Sequence, residues 1–525
     1  MAGSKRKTAA EAVALIPHGG VVAVNSSSGL CCPDAVLQAL GARFEAEGAP
    51  RNITTIHPIA AGDMFGTKGV DHLARPGCLA RIIGGSYPSG PSGAEPPLIW
   101  QMIGRDEVAA YNVPSGIVFD MLREAAGLRP GVLTKVGMGT FVDPEQDGCA
   151  MNAAARAAPI VRRERFDGDE WLYFPAIRPN VAIIRATTGD ERGNLSFEGE
   201  GAYLGAMEMA LAAHNTGGIV IAQVRRVAAI GTIRPHDVHV PGILVDHVVE
   251  APEMLQTTAT PYDPAISGEL IRPLASFAVP EFGVGKVIAR RVAQELRAGW
   301  AVNIGFGVSA NVPRIFLEEG RHGAVTWVIE QGAVGGVPLL DFKFGCAANA
   351  EAFVTSPHQF AYFQAGGFDA ALLSFLEIGA DGSVNVSRLA AMPHRTAGAG
   401  GFVDITARAR RMIFSGTFGA GAKLGIADGR LVIEREGHTP KIVPEVDEIS
   451  FSGPRAAAEG REATYVTERC VLRLIGGRLT VTEIAPGVDL QRDVLDRAEA
   501  PLAVADDLRE MDARLFRPEP IGLAP

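Results

Sequence analysis

The chain repeats itself once, and that repeat limits the folds open to it. Residues 16–24, 25–32 and 33–37 align with residues 296–304, 305–312 and 313–317 at a constant offset of 280, so that Gly19 falls on Gly299, Pro33 on Pro313 and Leu37 on Leu317. Each copy has the pattern of a helix, a glycine turn, a short apolar strand, a Gly/Ser loop and a proline opening the next helix. A looser pair supports it: residues 180–184 with the turn 190–194, and residues 368–373 with the turn at Asp381 and Gly382, each read as strand, acidic turn and second strand. Only two copies exist, which argues for duplicated domains and against a solenoid. The expected fold class is α/β, with two tandem, duplicated open α/β domains, 1–270 and 285–525, meeting in the proline-containing stretch 261–285. Residues 84–97, rich in Gly, Pro and Ser, predict an exposed loop in the first half.

In the second copy the apolar run 324–329 ends on Glu330, followed by Gln331-Gly332-Ala333-Val334-Gly335-Gly336. A β-rich run closed by glycines predicts a buried parallel strand feeding a tight loop. The carboxyl ends of such strands form the ligand crevice of open α/β sheets, and glycines beside an acid let a large substrate approach the backbone. A lone strand-end acid is ordinarily just a loop residue. Here it has company. Residues 305–311 follow a strand and precede a helix near Pro313, an arrangement that offers backbone amides to phosphates. No third glycine arrives at the dinucleotide spacing. Residues 398–402, Gly-Ala-Gly-Gly-Phe, would turn free amides towards a developing oxyanion.

Composition excludes other classes. The 49 basic and 59 acidic residues leave a net charge of −10, which argues against a nucleic-acid surface and leaves any anionic ligand to local geometry. The most apolar stretches, such as residues 219–222, are strand-length, so neither a membrane span nor a secretory leader is expected. The six cysteines show no Cys-x-x-Cys pair and no zinc spacing, as expected of reduced thiols in a cytoplasmic protein. His236, His239, His247 and Asp246 are metal-ligand types, but Pro235 and Pro241 bracket the first two histidines in extended chain. Nothing brings all four to one point, and no metal is expected.

The set Gly305-x-Gly307, Glu330-x-Gly332-x-x-Gly335-Gly336, Gly400-Gly401-Phe402 and Tyr465-Val-Thr-Glu-Arg-Cys-Val471 resembles the family I coenzyme A transferases, above all the single-chain acetate or propionate type. Residues 110–116, 130–144 and 241–246 are similar too. The resemblance implies the family's fold in both halves, the CoA site in the second and the acyl-side wall in the first. It implies Glu330 as nucleophile of a ping-pong transfer through a glutamyl-CoA thioester, with the amides of Gly400 and Gly401 as oxyanion donors. Gly305, Gly307, Val308, Ser309, Asn311, Gly335, Gly336 and Lys423 would hold CoA. CoA, acyl-CoA and small carboxylic acids would be substrates, no cofactor would be permanently bound, and the assembly would be a homodimer or homotetramer. One position departs from the pattern: Ser115 stands between Pro114 and Gly116 where relatives carry Gln, so the acyl site has a shorter side chain with one donor instead of two. Rival readings are an acyl-carrier transferase subunit of the malonate decarboxylase or citrate lyase type and an acyl-CoA hydrolase. The fused tail 465–471 favours a self-contained transferase.

Overall fold

The computed structural model describes residues 5–89, 96–392 and 397–523. The first sheet contains β1 (Arg6–Lys7), β2 (Val21–Val24), β3 (Ile53–His57), β4 (Leu79–Gly84), β5 (Ala109–Asn112), β6 (Val181–Asp190), β7 (Ile219–Ala228) and β8 (His247–Glu250). Their order is β1-β8-β7-β6-β2-β3-β4-β5, all parallel. The second contains β9 (Ala301–Ile304), β10 (Thr326–Val328), β11 (Ala333–Val334), β12 (Ala352–Phe353), β13 (Ala370–Ser374), β14 (Arg411–Ser415), β15 (Glu462–Val466), β16 (Cys470–Ile475), β17 (Arg478–Ile484) and β18 (Ala503–Glu510). These run in the order β12-β11-β10-β9-β13-β14-β15-β16-β17-β18.

The repeat reappears as strand order and register. Five strands of the first sheet, β8-β7-β6-β2-β3, answer to β15-β14-β13-β9-β10 of the second, and both sets are parallel. Val24 lies opposite Ile183 in one half and Ile304 opposite Leu372 in the other. The strands are runs of Val, Ile, Leu and Ala because helices cover both faces of a parallel sheet. Around them, α1 (Ala9–Val13) and α4 (Val284–Ala293) precede the matched strands, while α2 (Asp34–Glu47) and α5 (Val312–Glu318) follow the matched loops. Pro33 caps α2 and Pro313 lies in the first turn of α5. Thr8 and Glu11 close a capping box on α1, satisfying amides that a five-residue helix otherwise leaves open.

Outside this frame the halves diverge. The second sheet gains antiparallel strands at both ends, β11 and β12 on one side and β16 and β17 on the other. Of the segment predicted as an exposed loop at 84–97, residues 84–89 are packed inward instead. Residues 84–89 are buried or half-buried, the Tyr87 hydroxyl donates to the Tyr111 carbonyl at 2.7 Å, and Tyr87 N–H donates to Ala397 O at 2.8 Å. Its small residues serve a close approach of chain to chain, not exposure to water; residues 90–95 lie outside the described residues. All six cysteines are free and buried. Among the described residues no helix is long and apolar enough to cross a membrane.

Candidate active site

Glu330 begins the turn that ends β10. The strand is parallel to β9, as expected, but it returns at once as the antiparallel β11, through Ile329 N–H to Ala333 O at 3.0 Å and Gly332 N–H to Ile329 O at 2.9 Å. Because β9 and β10 are parallel neighbours, Glu330 and the 305–311 loop emerge at the same carboxyl end of the strands.

Gln331 fixes the acid from one side. Its Nε2 donates to Glu330 Oε1 at 3.1 Å and to Ser27 Oγ, in the loop of the first half that matches 305–311, also at 3.1 Å. The Gln331 carbonyl accepts from Ser356 Oγ at 3.1 Å, which anchors the turn to the start of α6 (Ser356–Gln364). From the other side comes Gly401, which packs against Glu330 Oε2 and whose amide favours the charged carboxyl. Burial pushes the Glu330 carboxyl up to about 7, against the downward pull of Gln331 and of the Gly401 amide. Such a carboxyl is only about half ionised at neutral pH, and its charged form is poorly solvated, which favours nucleophilic attack.

The 398–401 loop is where the halves meet. Gly400 N–H donates to Gly85 O at 2.7 Å, Ala399 N–H to Asn112 Oδ1 at 3.2 Å, and Ser115 N–H donates back to Gly400 O at 3.1 Å. Ser115 opens α3 (Ser115–Ala126) and is fully buried, its hydroxyl without a hydrogen-bond partner among the described residues. Gly400 and Gly401 therefore differ: the Gly400 amide is committed to Gly85, and the Gly401 amide is turned to Glu330.

A second buried acid stands beside the first. Asp404 on α7 (Phe402–Thr406) accepts from Gly116 N–H at 2.9 Å through Oδ2 and from Gln364 Nε2 at 2.9 Å through Oδ1. Burial lifts its carboxyl to about 7, the Gln364 and Gly116 donors oppose this, and the charges of Asp120 and Glu330 add to it. Sequence reasoning missed Asp404, Gln331, Gln364, Ser27, Asn112 and Gly85. Only the position of Asp404 three residues after Gly401 pointed that way.

The other expected site residues are spread more widely. Val308, Ser309 and Asn311 form a 3-10 turn before α5; Ser309 is buried and its hydroxyl unpartnered among the described residues. Gly305 spends its amide on Leu372 O at 2.7 Å, and Gly307 lies exposed with φ of 101°. Gly335 and Gly336 have a reason within the fold, because β-carbons there would stand 2.6 Å from the Glu351 carboxyl carbon and 2.5 Å from Ala348 O. Lys423, 68% exposed, pairs with Glu434 at 2.5 Å. Among the described residues no group of three His, Cys, Asp or Glu side chains could hold a metal, and His239 instead stacks on Tyr203 at 4.3 Å.

The family described as Coenzyme A transferase matches residues 6–251. The caffeate CoA-transferase of Acetobacterium woodii is 38% identical, over 98% of this chain and 98% of that protein. The acetate CoA-transferase YdiF of Escherichia coli O157:H7 is 36% identical, over 97% of this chain and 94% of that protein. A crystal structure of the acyl-CoA transferase YdiF from Escherichia coli O157:H7, as a thioester complex with CoA, superposes with a TM-score of 0.91 at 34% identity, covering 99% of this chain and 98% of that one. The chain belongs to the coenzyme A transferase family.

Proposed function

We propose that the protein moves CoA from an acyl-CoA to a free carboxylate through a glutamyl-CoA thioester on Glu330. The observation that carries this reading is the desolvated Glu330 carboxyl between the Gln331 side chain and the Gly401 amide, at the seam of the two halves. Its carboxylate attacks the acyl carbonyl of the bound thioester; the carbon–sulfur bond breaks and CoA leaves as thiolate, giving a mixed anhydride. The thiolate attacks the glutamyl carbonyl, and the first acid departs as carboxylate. An acceptor carboxylate reverses both steps, so thioester energy is conserved without ATP. Each addition puts negative charge on oxygen, which the Gly401 amide would receive. Losing one such donor typically costs about 3 to 4 kcal/mol.

CoA would lie along the 305–311 loop, with the Ser309 hydroxyl as an available donor. Lys423 would reach a phosphate by exchanging its exposed ion pair with Glu434 for another. The labour would divide at the boundaries 1–270 and 285–525, with the acyl wall from the first half and the nucleophile from the second. A short acid such as acetate or propionate is the first choice of acyl group. An aromatic acid is the second, favoured by the 38% identical caffeate CoA-transferase and by the short side chain of Ser115.

Incubation with acyl-CoA and no acceptor should add CoA to the peptide carrying Glu330, as a mass shift open to hydroxylamine. Glu330→Gln should abolish both adduct and transfer. Normal turnover by the Gln variant, with deamidation excluded by mass, would end this reading. Acetyl-, propionyl- and caffeoyl-CoA, each tried with the other acids, would rank the substrates.

A further inference from the structure

We propose that Asp404 is a positioning residue for the transfer, clamping the N-terminus of α3 from the first half against the glycine loop of the second so that Ser115 stands at the Glu330 site. The inference rests on the reading of Glu330 as nucleophile. Asp404 lies three residues beyond Gly401 and is fully buried. Its two oxygens point to two elements, Oδ2 to the Gly116 amide on α3 and Oδ1 to Gln364 on α6, each at 2.9 Å. The fit is tight, since a β-carbon on Gly116 would stand 2.6 Å from Asp404 Oδ1 and 2.7 Å from Gln364 Nε2. Ser115 and Gly116 are adjacent, so this one carboxylate fixes where the acyl-side wall begins.

The charge of the clamp matters as well as its shape. No cation pairs with Asp404 among the described residues. The groups facing it are the neutral Gln364 from α6, Asp120 from α3, whose partner is Arg123 at 2.5 Å, and Glu330 from the strand-end turn. An asparagine would serve a purely mechanical role at lower cost, because an unpaired buried carboxylate is expensive. Beside a carboxyl nucleophile, however, a second negative charge keeps the first from ionising too readily and so preserves its reactivity towards a carbonyl.

Two variants separate shape from charge. Asp404→Asn can still accept from Gly116 and meet a rotated Gln364 amide, so hydrogen exchange in the segment 115–122 should match wild type. Its transfer rate should keep an acidic limb displaced to lower pH by about one unit, since the like charge facing Glu330 is gone. Asp404→Ala removes the acceptor, so exchange in 115–122 should quicken by about tenfold and KM for the acid rise by a similar factor. An Asp404→Ala protein whose 115–122 segment exchanges as in wild type would overturn the clamp. A pH profile of Asp404→Asn that superposes on wild type would overturn the part played by charge and leave the clamp as shape alone. Should Asp404→Ala fail to fold, hydrogen exchange of 115–122 in Asp404→Ser, whose shorter side chain cannot span both partners, decides the clamp: exchange as in wild type overturns it. If wild-type enzyme forms no Glu330 adduct, the nucleophile reading falls, while hydrogen exchange still decides the clamp.

Discussion

A β-carbon on Gly401 would stand 2.4 Å from Glu330 Oε2. The backbone there, at φ −85° and ψ 1°, is open to any residue, so glycine is required by space and not by conformation. The same β-carbon would meet the buried Phe360 ring at 2.6 Å, which leaves no direction in which to yield.

Gly401→Ala is therefore expected to displace the nucleophile while the protein stays folded. Turnover should fall by about 100-fold, the scale of a misplaced reacting group. Overpacking should cost about 1–3 kcal/mol of stability. Steady-state kinetics beside circular dichroism check this; a fully active Ala variant would remove Gly401 from the reaction path.

Gln331→Ala should raise the proton affinity of Glu330, because the side-chain hydrogen bond that favours its charged form is lost. Transfer should rise with pH as Glu330 ionises, so the acidic limb expected near pH 7 for the wild type should move upward in this variant. Losing the bridge to Ser27 should also cost about 1 kcal/mol of stability. An unshifted limb would place the bond outside the reactive state.

Stability itself should fall as pH rises. Glu330 and Asp404 have carboxyls pushed to about 7 in the folded chain against ordinary values of 4.5 and 3.8. Between roughly pH 4 and 7 the folded state holds protons that the unfolded chain releases, so their contribution is complete below that window and lost across it. For Asp404 the loss is on the order of 4 kcal/mol. Urea midpoints at pH 5 and 7.5 should drop more for wild type than for Asp404→Asn, and equal drops would count against the raised carboxyl.

Ser115→Gln should narrow the acid site. The Ser115 hydroxyl already stands 2.5 Å from where a β-carbon on Gly85 would sit, so a longer amide must push into the seam. Preference for larger over smaller acids should fall by about tenfold, the scale of a methylene-sized change in a pocket. An unchanged preference across the acyl-CoA panel would remove Ser115 from the acyl wall.

The duplicated frame and the address of Glu330 were legible because local pattern carries them. Apolar runs, glycine turns and helix-opening prolines recur at one offset, and a strand end announces itself by the residues that stop it. The surroundings of Glu330 were not legible. Gln331 meets Ser27 across 304 residues and Asp404 meets Gly116 across 288, and no periodicity links such pairs. Glycine misled at 84–89, where Gly85 marks chain passing close to chain, because sequence cannot tell an exposed turn from a neighbouring backbone as the cause.

In the shared frame β3 answers to β10. Ala23 lies opposite Ile56, and its counterpart Asn303 lies opposite Val328; two residues further on stand Pro58 and Glu330. A proline ring has nothing to ionise, so of the two matched positions only one bears an acid. Thioester labelling should then saturate at one equivalent per chain, however many subunits associate.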